Sequence, residues 1–302
     1  MKTLYLEKKH SDEHISKMEG HFFNETDFET HIYDDTDGFT MENGKPRCLF
    51  KFRKNVIPEN LCKLAIDSYE APAKKKNYNR GASAGLLDFK KVPKNVTEII
   101  QTEKFRGKIK INEKFSNFQV GNMSQSNIIG FFDDTKPKTK NEINKLPCRT
   151  TKFTRDHPEV WEKSLPVLQY IDNLFKEMCF EKWHNQFVAC ENTDFRIPET
   201  SFSTITLNYN FQTALHKDKG DYKNGFGNLV VFRRGSWTGN YLGLYQYGVC
   251  IHIDHGDYFA VLATIINAAL KEPDFEKNKI FSKLYEDLQY LQENYDIVKK
   301  KS

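Results

Sequence analysis

The sequence predicts an α+β fold with a double-stranded β-helix, or jelly-roll, core and flanking helices. Short apolar segments separated by glycine turns follow one another between Phe202 and Asp257, and such a series is typical of jelly-roll and barrel folds. A stretch with apolar residues at helical spacing, from Trp161 to Met178, precedes them. Aromatic residues make up 14% of the 302 residues, which favours the packed core of one large domain.

The composition excludes several classes of protein. Lysine and arginine number 45 against 41 acidic residues, and this net charge of +4 is too small to indicate a dedicated polyanion-binding protein. The six cysteines include no C-x-x-C pair, so neither a zinc ribbon nor a disulfide framework is predicted, and Cys250 is expected to be a sheet residue without a chemical role. The N-terminus lacks an apolar signal segment, and the longest apolar stretch, Tyr258 to Leu270, is too short to span a bilayer. These features predict a soluble, intracellular protein, in the nucleus or the cytoplasm, with no membrane partner and an undecided oligomeric state.

Three segments are expected along the chain. Residues 1–46 are rich in Asp, Glu, His and Asn and predict an irregular N-terminal extension. Residues 47–262 carry most of the strand and helix patterns and predict the main domain. The pattern changes over residues 263–302, where Ala263–Leu270 and Ile280–Tyr295 predict an atypical helical tail.

Within the main domain, the first half alternates strands and helices. Apolar segments predict strands at Cys48–Phe52 and Asn127–Phe132. A helix is predicted from Ile57 to Tyr69, because Pro58 suits the first helical turn. A second helix is predicted to start at Thr154–Pro158, with a capping side chain just ahead of the proline, and to continue to Met178.

The second half of the main domain is predicted to consist mainly of strands. Apolar and polar residues alternate over Phe202–Asn210, and Leu229–Phe232 and Val249–Ile253 are further strand candidates. Glycine-rich turns separate these segments, as a sandwich or barrel requires.

His216-Lys217-Asp218 is the segment that predicts chemistry. If it lies on an extended strand, His216 and Asp218 project from the same face and can bind one metal ion, because side chains in a strand repeat with period two. The 2-His-1-carboxylate sites of non-haem iron oxygenases have a second histidine from a later strand. His252 and His255 are the only later histidines, and His255 is the better, though weak, candidate for the third ligand.

Several segments together resemble the TET/JBP family of Fe(II)- and 2-oxoglutarate-dependent dioxygenases, over roughly residues 47–262. The central segments that carry this resemblance are Phe202–Asn208, Thr213–Asp218, Gly220–Leu229 and Gln246–Val249. The upstream segments Asn79–Gly85, Ile128–Asp133 and Pro147–Thr154 are similar to the JBP-like branch.

The resemblance implies a fold, two cofactors and a partner. It implies a double-stranded β-helix that binds Fe(II) and 2-oxoglutarate and oxidises the methyl group of a pyrimidine in DNA, 5-methylcytosine or thymine. The target base would have to leave the duplex before it could react. On this interpretation His216 and Asp218 are iron ligands, and Asn208 lines the pocket.

The C-terminal part departs from the family pattern. Family members have a histidine about ten residues after the Gly-Asp turn, followed by an arginine for the oxo-acid, whereas this chain has Asn267 and no arginine after Arg234. A lysine does not freely replace a bidentate guanidinium. Whether the chain is an active enzyme therefore stays open at the sequence level. The alternatives are a catalytically degenerate member that binds DNA or another protein through the retained scaffold, and an altered C-terminal end of an active protein.

Four basic residues are candidates for anion binding. Arg149 is a candidate for the substrate or co-substrate pocket, and Lys75, Arg80 and Arg155 are candidates for nucleic-acid contacts. Surface ion pairs and a solvated basic loop are the alternative interpretations of these positions.

Overall fold

The computed structural model describes residues 1–87, 98–103, 106–111, 114–120, 122–133, 148–191, 193–218, 221–236, 239, 241–263 and 268–269. The α-helices within these ranges are α1 (Asp12–Met18), α2 (Glu59–Ala73), α3 (Lys152–Asp156), α4 (Pro158–Met178) and α5 (Phe180–Glu191). The strands are β1 (Lys2–Tyr5), β2 (Thr30–Ile32), β3 (Thr36–Glu42), β4 (Lys45–Arg53), β5 (Lys76–Asn77), β6 (Glu98–Glu103), β7 (Arg106–Ile111), β8 (Lys114–Val120), β9 (Ser124–Asp133), β10 (Cys148–Thr150), β11 (Thr204–Asn208), β12 (Phe226–Val230), β13 (Tyr241–Leu244), β14 (Val249–His252), β15 (Tyr258–Leu262) and β16 (Ala268–Ala269).

The strands form four sheets, so the described part of the chain is an α+β structure with mixed sheets and helices. The largest sheet has the order β1-β3-β4-β15-β12. A second sheet has the order β10-β9-β11, with β5 also paired to β9, and a third has the order β16-β13-β14-β2. Strands β6, β7 and β8 form an antiparallel three-stranded sheet.

Strand β15 lies at the centre of the hydrophobic core. All five of its residues are buried, because β4 and β12 pair with it on either side and one hydrophobic cluster joins it to helices α2, α4 and α5. A strand enclosed in this way reads as a continuous apolar segment without alternation. No helix in the described ranges is both long enough and apolar enough to cross a bilayer.

The two long helices confirm the predictions made from apolar spacing. Helix α2 extends four residues beyond the predicted end at Tyr69. Helix α4 begins at Pro158, as predicted, and continues through Pro166 to Met178. The buried carboxylate of Asp172 links α4 to its neighbours, since it accepts hydrogen bonds from Trp183 Nε1 at 2.9 Å and from the Ser201 amide at 2.7 Å.

The N-terminal 46 residues differ from the irregular extension that was predicted. They contain α1 and strands β1, β2 and β3, and β3 pairs with β4 along its whole length. The strand pattern is weak in the sequence because β1 and β2 are short and lie at sheet edges, where polar side chains are common. The strand predicted at Cys48–Phe52 lies within β4.

The helix expected over Ala263–Leu270 is contradicted at Ala268 and Ala269, and residues 264–267 and 270 lie outside the described ranges. Ala268 and Ala269 form strand β16, which pairs antiparallel with Leu242 and Gly243 of β13. The periodicity of a short apolar segment does not distinguish a helix from a buried strand. Here the segment forms a strand because it pairs with the edge of β13. The remainder of the tail, including the helix predicted at Ile280–Tyr295, lies outside the described residues.

Candidate metal centre

The site is centred on the segment Ala214–Asp218. The prediction of an extended strand is correct only at His216, which makes a single strand-type bridge, while Lys217 and Asp218 lie outside any strand. The two side chains nevertheless converge, with His216 Nε2 and Asp218 Oδ1 3.4 Å apart. The predicted pairing of imidazole and carboxylate is therefore present, although strand alternation is not what produces it.

Two distant parts of the chain hold this segment in place through backbone hydrogen bonds. The amide of Ala214 donates to the carbonyl of Ser83 at 2.9 Å, in the 3-10 helix Gly81–Ala84. Leu215 exchanges hydrogen bonds of 2.8 Å with the N-terminal segment, as it donates to His21 and accepts from Gly20. The N-terminal segment is thus part of the scaffold of the site.

The imidazole of His216 is oriented by its own backbone. Nδ1 lies 2.8 Å from the carbonyl oxygen of Ala214, and a carbonyl oxygen only accepts hydrogen bonds, so Nδ1 carries the donated proton. Nε2 then faces the carboxylate of Asp218 at 3.4 Å, an arrangement in which one metal cation could be bound by both groups. Metal-binding histidines commonly have this backbone contact on the other ring nitrogen.

Arg80 is a cation whose charge acts on the carboxylate of Asp218. Burial alone would raise the pKa of Asp218, but the hydrogen bond and charge of His216, with the charge of Arg80, outweigh burial and hold that pKa below its ordinary value. Burial lowers the pKa of Arg80 itself, and the charge of Asp218 opposes this shift. The Nε atom of Arg80 is buried and has no hydrogen-bond partner among the described residues. An anion bound beside Asp218 would satisfy it.

Asp221 is a further acidic residue at the site that the sequence did not single out. Burial and the charge of Asp218 raise its pKa to about 6, against an opposing effect of His216. Its Oδ2 atom lies close to Gly227, where a Cβ atom would approach within 3.3 Å. The spacing of three residues after Asp218 is the signal that could have identified it.

The two predicted pocket residues, Asn208 and Arg149, lie on the β10-β9-β11 sheet, and Lys75 directly precedes β5, which pairs with β9. Asn208, at the end of β11, pairs in register with Ser126 of β9, whose amide donates to the carbonyl of Lys75 at 2.9 Å. Arg149 lies on β10, at the opposite edge of β9, in register with Phe132. Ser126 and Phe132 are six positions apart, about 20 Å along a strand, so Asn208 and Arg149 do not line one small pocket.

Arg155 and His255 make contacts elsewhere. Arg155 is exposed and forms an ion pair with the adjacent Asp156, Nε to Oδ1 at 3.0 Å. Both ring nitrogens of His255 are engaged, since Nδ1 accepts from the Arg233 amide at 3.0 Å and Nε2 lies 3.1 Å from Glu59 Oε2. Within the described ranges, His216 and Asp218 belong to no three-residue group of metal-ligand side chains.

Known proteins that share sequence with this chain are named as thymine dioxygenases. Thymine dioxygenase JBP1 of Trypanosoma brucei brucei is 36% identical over 132 residues, 44% of this chain and 15% of that protein. The bifunctional helicase and thymine dioxygenase JBP2 of Leishmania major is 26% identical over 220 residues, 72% of this chain and 16% of that protein. The chain therefore spans about a sixth of the length of these curated relatives.

A solved structure of NgTET1 in complex with 5mC DNA aligns with 80% of this chain and 72% of that chain, with a TM-score of 0.48 and 12% identity. The sequence also matches a protein family. Residues 129–286, just over half of the chain, match the Tet_JBP family, described as the oxygenase domain of the 2OGFeDO superfamily. This range includes His216, Asp218 and Asp221, so the residues of the candidate metal centre lie inside the matched domain. The resemblance inferred from the sequence is confirmed, and the chain belongs to the Tet_JBP family of oxygenase domains.

Proposed function

We propose that this chain is an Fe(II)- and 2-oxoglutarate-dependent dioxygenase that oxidises the methyl group of a pyrimidine base in DNA, thymine or 5-methylcytosine. Family membership and the names of the relatives support the reaction class. The observation that carries the proposal is the His216–Asp218 pair, in which an oriented imidazole nitrogen faces a carboxylate at 3.4 Å. The jelly-roll arrangement of the core is part of the same proposal.

The donor set fits Fe(II). A 2-His-1-carboxylate site has three protein ligands, and His216 and Asp218 supply two of them, one imidazole nitrogen and one carboxylate oxygen. When bound, the iron and the oxo-acid provide the activation of O2 that methyl oxidation requires. Asp221 is a further carboxylate at the site, and it interacts electrostatically with both Asp218 and His216. We propose that Asp221 either binds the iron as a third ligand or changes the iron affinity of the pair through its charge.

Arg80 is proposed to bind a carboxylate of 2-oxoglutarate and not, as the sequence suggested, DNA phosphate. Its guanidinium interacts with Asp218, and its buried Nε lacks a partner within the described ranges. No arginine follows Arg234 in this sequence, so the family's usual position for an oxo-acid arginine is empty. A half-buried guanidinium that interacts electrostatically with Asp218 would supply the same chemistry.

Anaerobic titration with Fe(II) and 2-oxoglutarate tests the proposal, through the visible charge-transfer band of iron chelated by an oxo-acid. We expect His216→Ala and Asp218→Ala each to abolish the band. His255→Ala serves as the matched control and should retain it, because both nitrogens of His255 are occupied by other residues. A band that persists in His216→Ala would refute the site assignment.

Turnover is then measured as succinate release coupled to an oxidised base in DNA that contains thymine or 5-methylcytosine. We expect both products, in equal amounts, with one of the two substrates. Binding of DNA by a protein that gives neither the band nor succinate would instead support the degenerate scaffold as the function.

A further inference from the structure

Away from the candidate metal centre, two imidazoles and a thiol come together where the N-terminal segment joins the core. His31 lies on β2, and Cys250 and His252 lie on β14. One ligand atom from each of these three side chains lies within 4.8 Å of the other two. We refer to His31, Cys250 and His252 as the β2–β14 cluster.

The backbone pairing places these side chains together. Cys250 and His252 are two residues apart on β14 and therefore project from the same face of the strand. Strand β2 runs parallel to β14, with His31 in register with Cys250, and residues in register on neighbouring strands have side chains on the same face. The arrangement is thus fixed by strand register rather than by flexible side chains.

The distances match a tetrahedral site for a metal such as zinc. His31 Nδ1 and His252 Nε2 are 2.9 Å apart, and Cys250 Sγ is 3.9 Å from His252 Nε2. Tetrahedral zinc with ordinary bond lengths places two nitrogens about 3.3 Å apart, and nitrogen and sulfur about 3.6 Å apart. These two distances therefore differ from the tetrahedral values by less than half an ångström, roughly, and the third pair, His31 and Cys250, has its ligand atoms within 4.8 Å.

The surroundings of the cluster resemble those of a bound metal. His31 Nε2 lies 3.2 Å from the carbonyl of Phe28. Because that oxygen only accepts, Nε2 is the donor and Nδ1 directs its lone pair into the cluster. Cys250 is fully buried, and the rings of Tyr33 and Tyr241 each lie 4.1 Å from the His252 ring, centroid to centroid. These rings cover part of the His252 imidazole.

An acidic side chain is available for the fourth position. The carboxylate of Glu25 is near enough to interact electrostatically with both Cys250 and His252, and Glu25 is exposed, so its side chain is free to move toward them. A carboxylate or a water molecule is a usual fourth ligand of zinc when the protein supplies three others.

We propose that the β2–β14 cluster is a second metal site, which binds zinc or a similar tetrahedral ion and fastens the N-terminal segment to the core. Two imidazoles and a thiolate favour zinc over magnesium or calcium, which prefer oxygen ligands. The ion would crosslink β2, a strand of only three residues, to β14. Cys250 also packs in the small hydrophobic cluster that contains Leu215, the residue before His216.

The test uses cobalt(II) as a spectroscopic probe and the full-length chain with both iron ligands removed, His216→Ala/Asp218→Ala. In this background the candidate metal centre cannot contribute, so the result does not depend on the proposed dioxygenase function. We expect one Co(II) per chain, with the near-ultraviolet thiolate band and the intense visible bands of tetrahedral cobalt, and we expect zinc to displace it. Zinc should also shift the thermal unfolding midpoint upward by a few degrees or more.

Single variants added to this background locate the site. Cys250→Ser should remove the thiolate band, and His31→Gln should weaken Co(II) binding at least tenfold. Cys62→Ser is the matched control, since Cys62 is a buried thiol beside His255 and Glu59 in the second group of ligand side chains, and it should retain the band.

Three outcomes would overturn the proposal: no thiolate band in the background protein, a band that survives Cys250→Ser, or a band that is lost in Cys62→Ser. If Cys250→Ser does not fold, as judged by circular dichroism, the Co(II) affinity of His31→Gln is the deciding measurement. His31 is only partly buried, and unchanged Co(II) affinity in that variant would likewise exclude the β2–β14 cluster.

Discussion

At the scale of single residues, the candidate metal centre depends on an imidazole nitrogen that faces a carboxylate and on a buried guanidinium nitrogen that has no hydrogen-bond partner among the described residues. His216 Nε2 faces a carboxylate, and the buried Nε of Arg80 lacks a hydrogen bond. Buried polar groups are normally satisfied, so unmatched ones indicate where a ligand belongs. A cation between His216 and Asp218, and an anion next to Arg80, would satisfy both positions at once.

Substitution of Arg80 tests the second of these positions. In Arg80→Gln, we expect the dissociation constant of 2-oxoglutarate to rise roughly 10- to 100-fold, the value of a charge-assisted hydrogen bond. Arg80→Lys should recover only part of this loss, because an ammonium lacks the planar fork. The measurement is titration of the charge-transfer band with 2-oxoglutarate at saturating Fe(II). Arg155→Gln is the control, and an equal effect there would show a nonspecific loss of positive charge.

Asp221 gives a prediction about pH in the metal-free protein. Its pKa of about 6 lies above the ordinary value of 3.8, so the native state retains the proton longer than the unfolded state. The free energy of unfolding should therefore fall as the pH rises from about 4 to 6, and the loss is complete above this range. Asp221→Asn should remove this part of the pH dependence, which urea unfolding at pH 4.5 and 7.5 can measure. Asp194→Asn is the control, and a decline that is identical in Asp221→Asn and the parent protein would contradict the assignment.

The sequence identified part of this site and missed the rest for a physical reason. His216 and Asp218 are two residues apart, so their proximity could be predicted from the sequence, although strand alternation is not what brings the two side chains together. Arg80 reaches them only because the turn at Gly81–Ala84 bonds to Ala214, and backbone hydrogen bonds have no sequence signature. The role of Arg80 was therefore taken from its basic neighbours and assigned to DNA.

At the scale of elements, the close approach of β3 to β4 sets the packing of the N-terminal segment. A Cβ atom on Gly38 of β3 would fall within 2.2 to 2.7 Å of three ring atoms of Phe50, which is fully buried on β4. The three atoms belong to a rigid aromatic ring, so there is no flexible end of a side chain that could move out of the way. Glycine at position 38 thus permits the pairing of the two strands.

Gly38→Ala should accordingly reduce the free energy of unfolding by roughly 1–3 kcal/mol, the usual cost of overpacking a core. Chemical denaturation of the metal-free protein measures it. Gly44→Asn, in the turn between the same strands, is the comparison, since a Cβ there meets nothing within 4 Å and asparagine tolerates the φ of +75°. Equal effects of the two changes would indicate backbone strain instead of overpacking.

The elements that could be predicted are those whose pattern is local. Helices α2 and α4 have apolar residues at helical spacing and a proline in or just before the first turn, and β9, β11 and β14 are bounded by turn residues. Strands β1 to β3 could not be predicted, because their stability comes from pairing rather than from their own composition: β1 pairs with β3, β3 with β4, and β2 with β14. Strand β16 depends in the same way on the edge of β13.

At the scale of the whole molecule, the candidate metal centre connects three parts of the chain that are far apart in sequence. Gly20 and His21 bond to Leu215, and Ser83 bonds to Ala214, so the N-terminal segment, the 3-10 helix Gly81–Ala84 and the metal-ligand segment form one hydrogen-bonded unit. Any ligand that binds only the native arrangement of this unit stabilises all three parts together.

Hydrogen exchange in the presence of Mn(II), as a redox-stable substitute for Fe(II), and 2-oxoglutarate tests this connection. The amides of Gly20, Ala214 and Leu215 should exchange up to about 100-fold more slowly when the ligands are present at 100 times their dissociation constants, if these amides exchange through opening of the unit. The amide of Tyr209, bonded to Gln125 on the separate β9 sheet, should change less. His216→Ala should abolish the protection because it removes a ligand without altering the backbone bonds. Protection confined to residues 214–218, with Gly20 unaffected, would show that the N-terminal segment opens independently of the site.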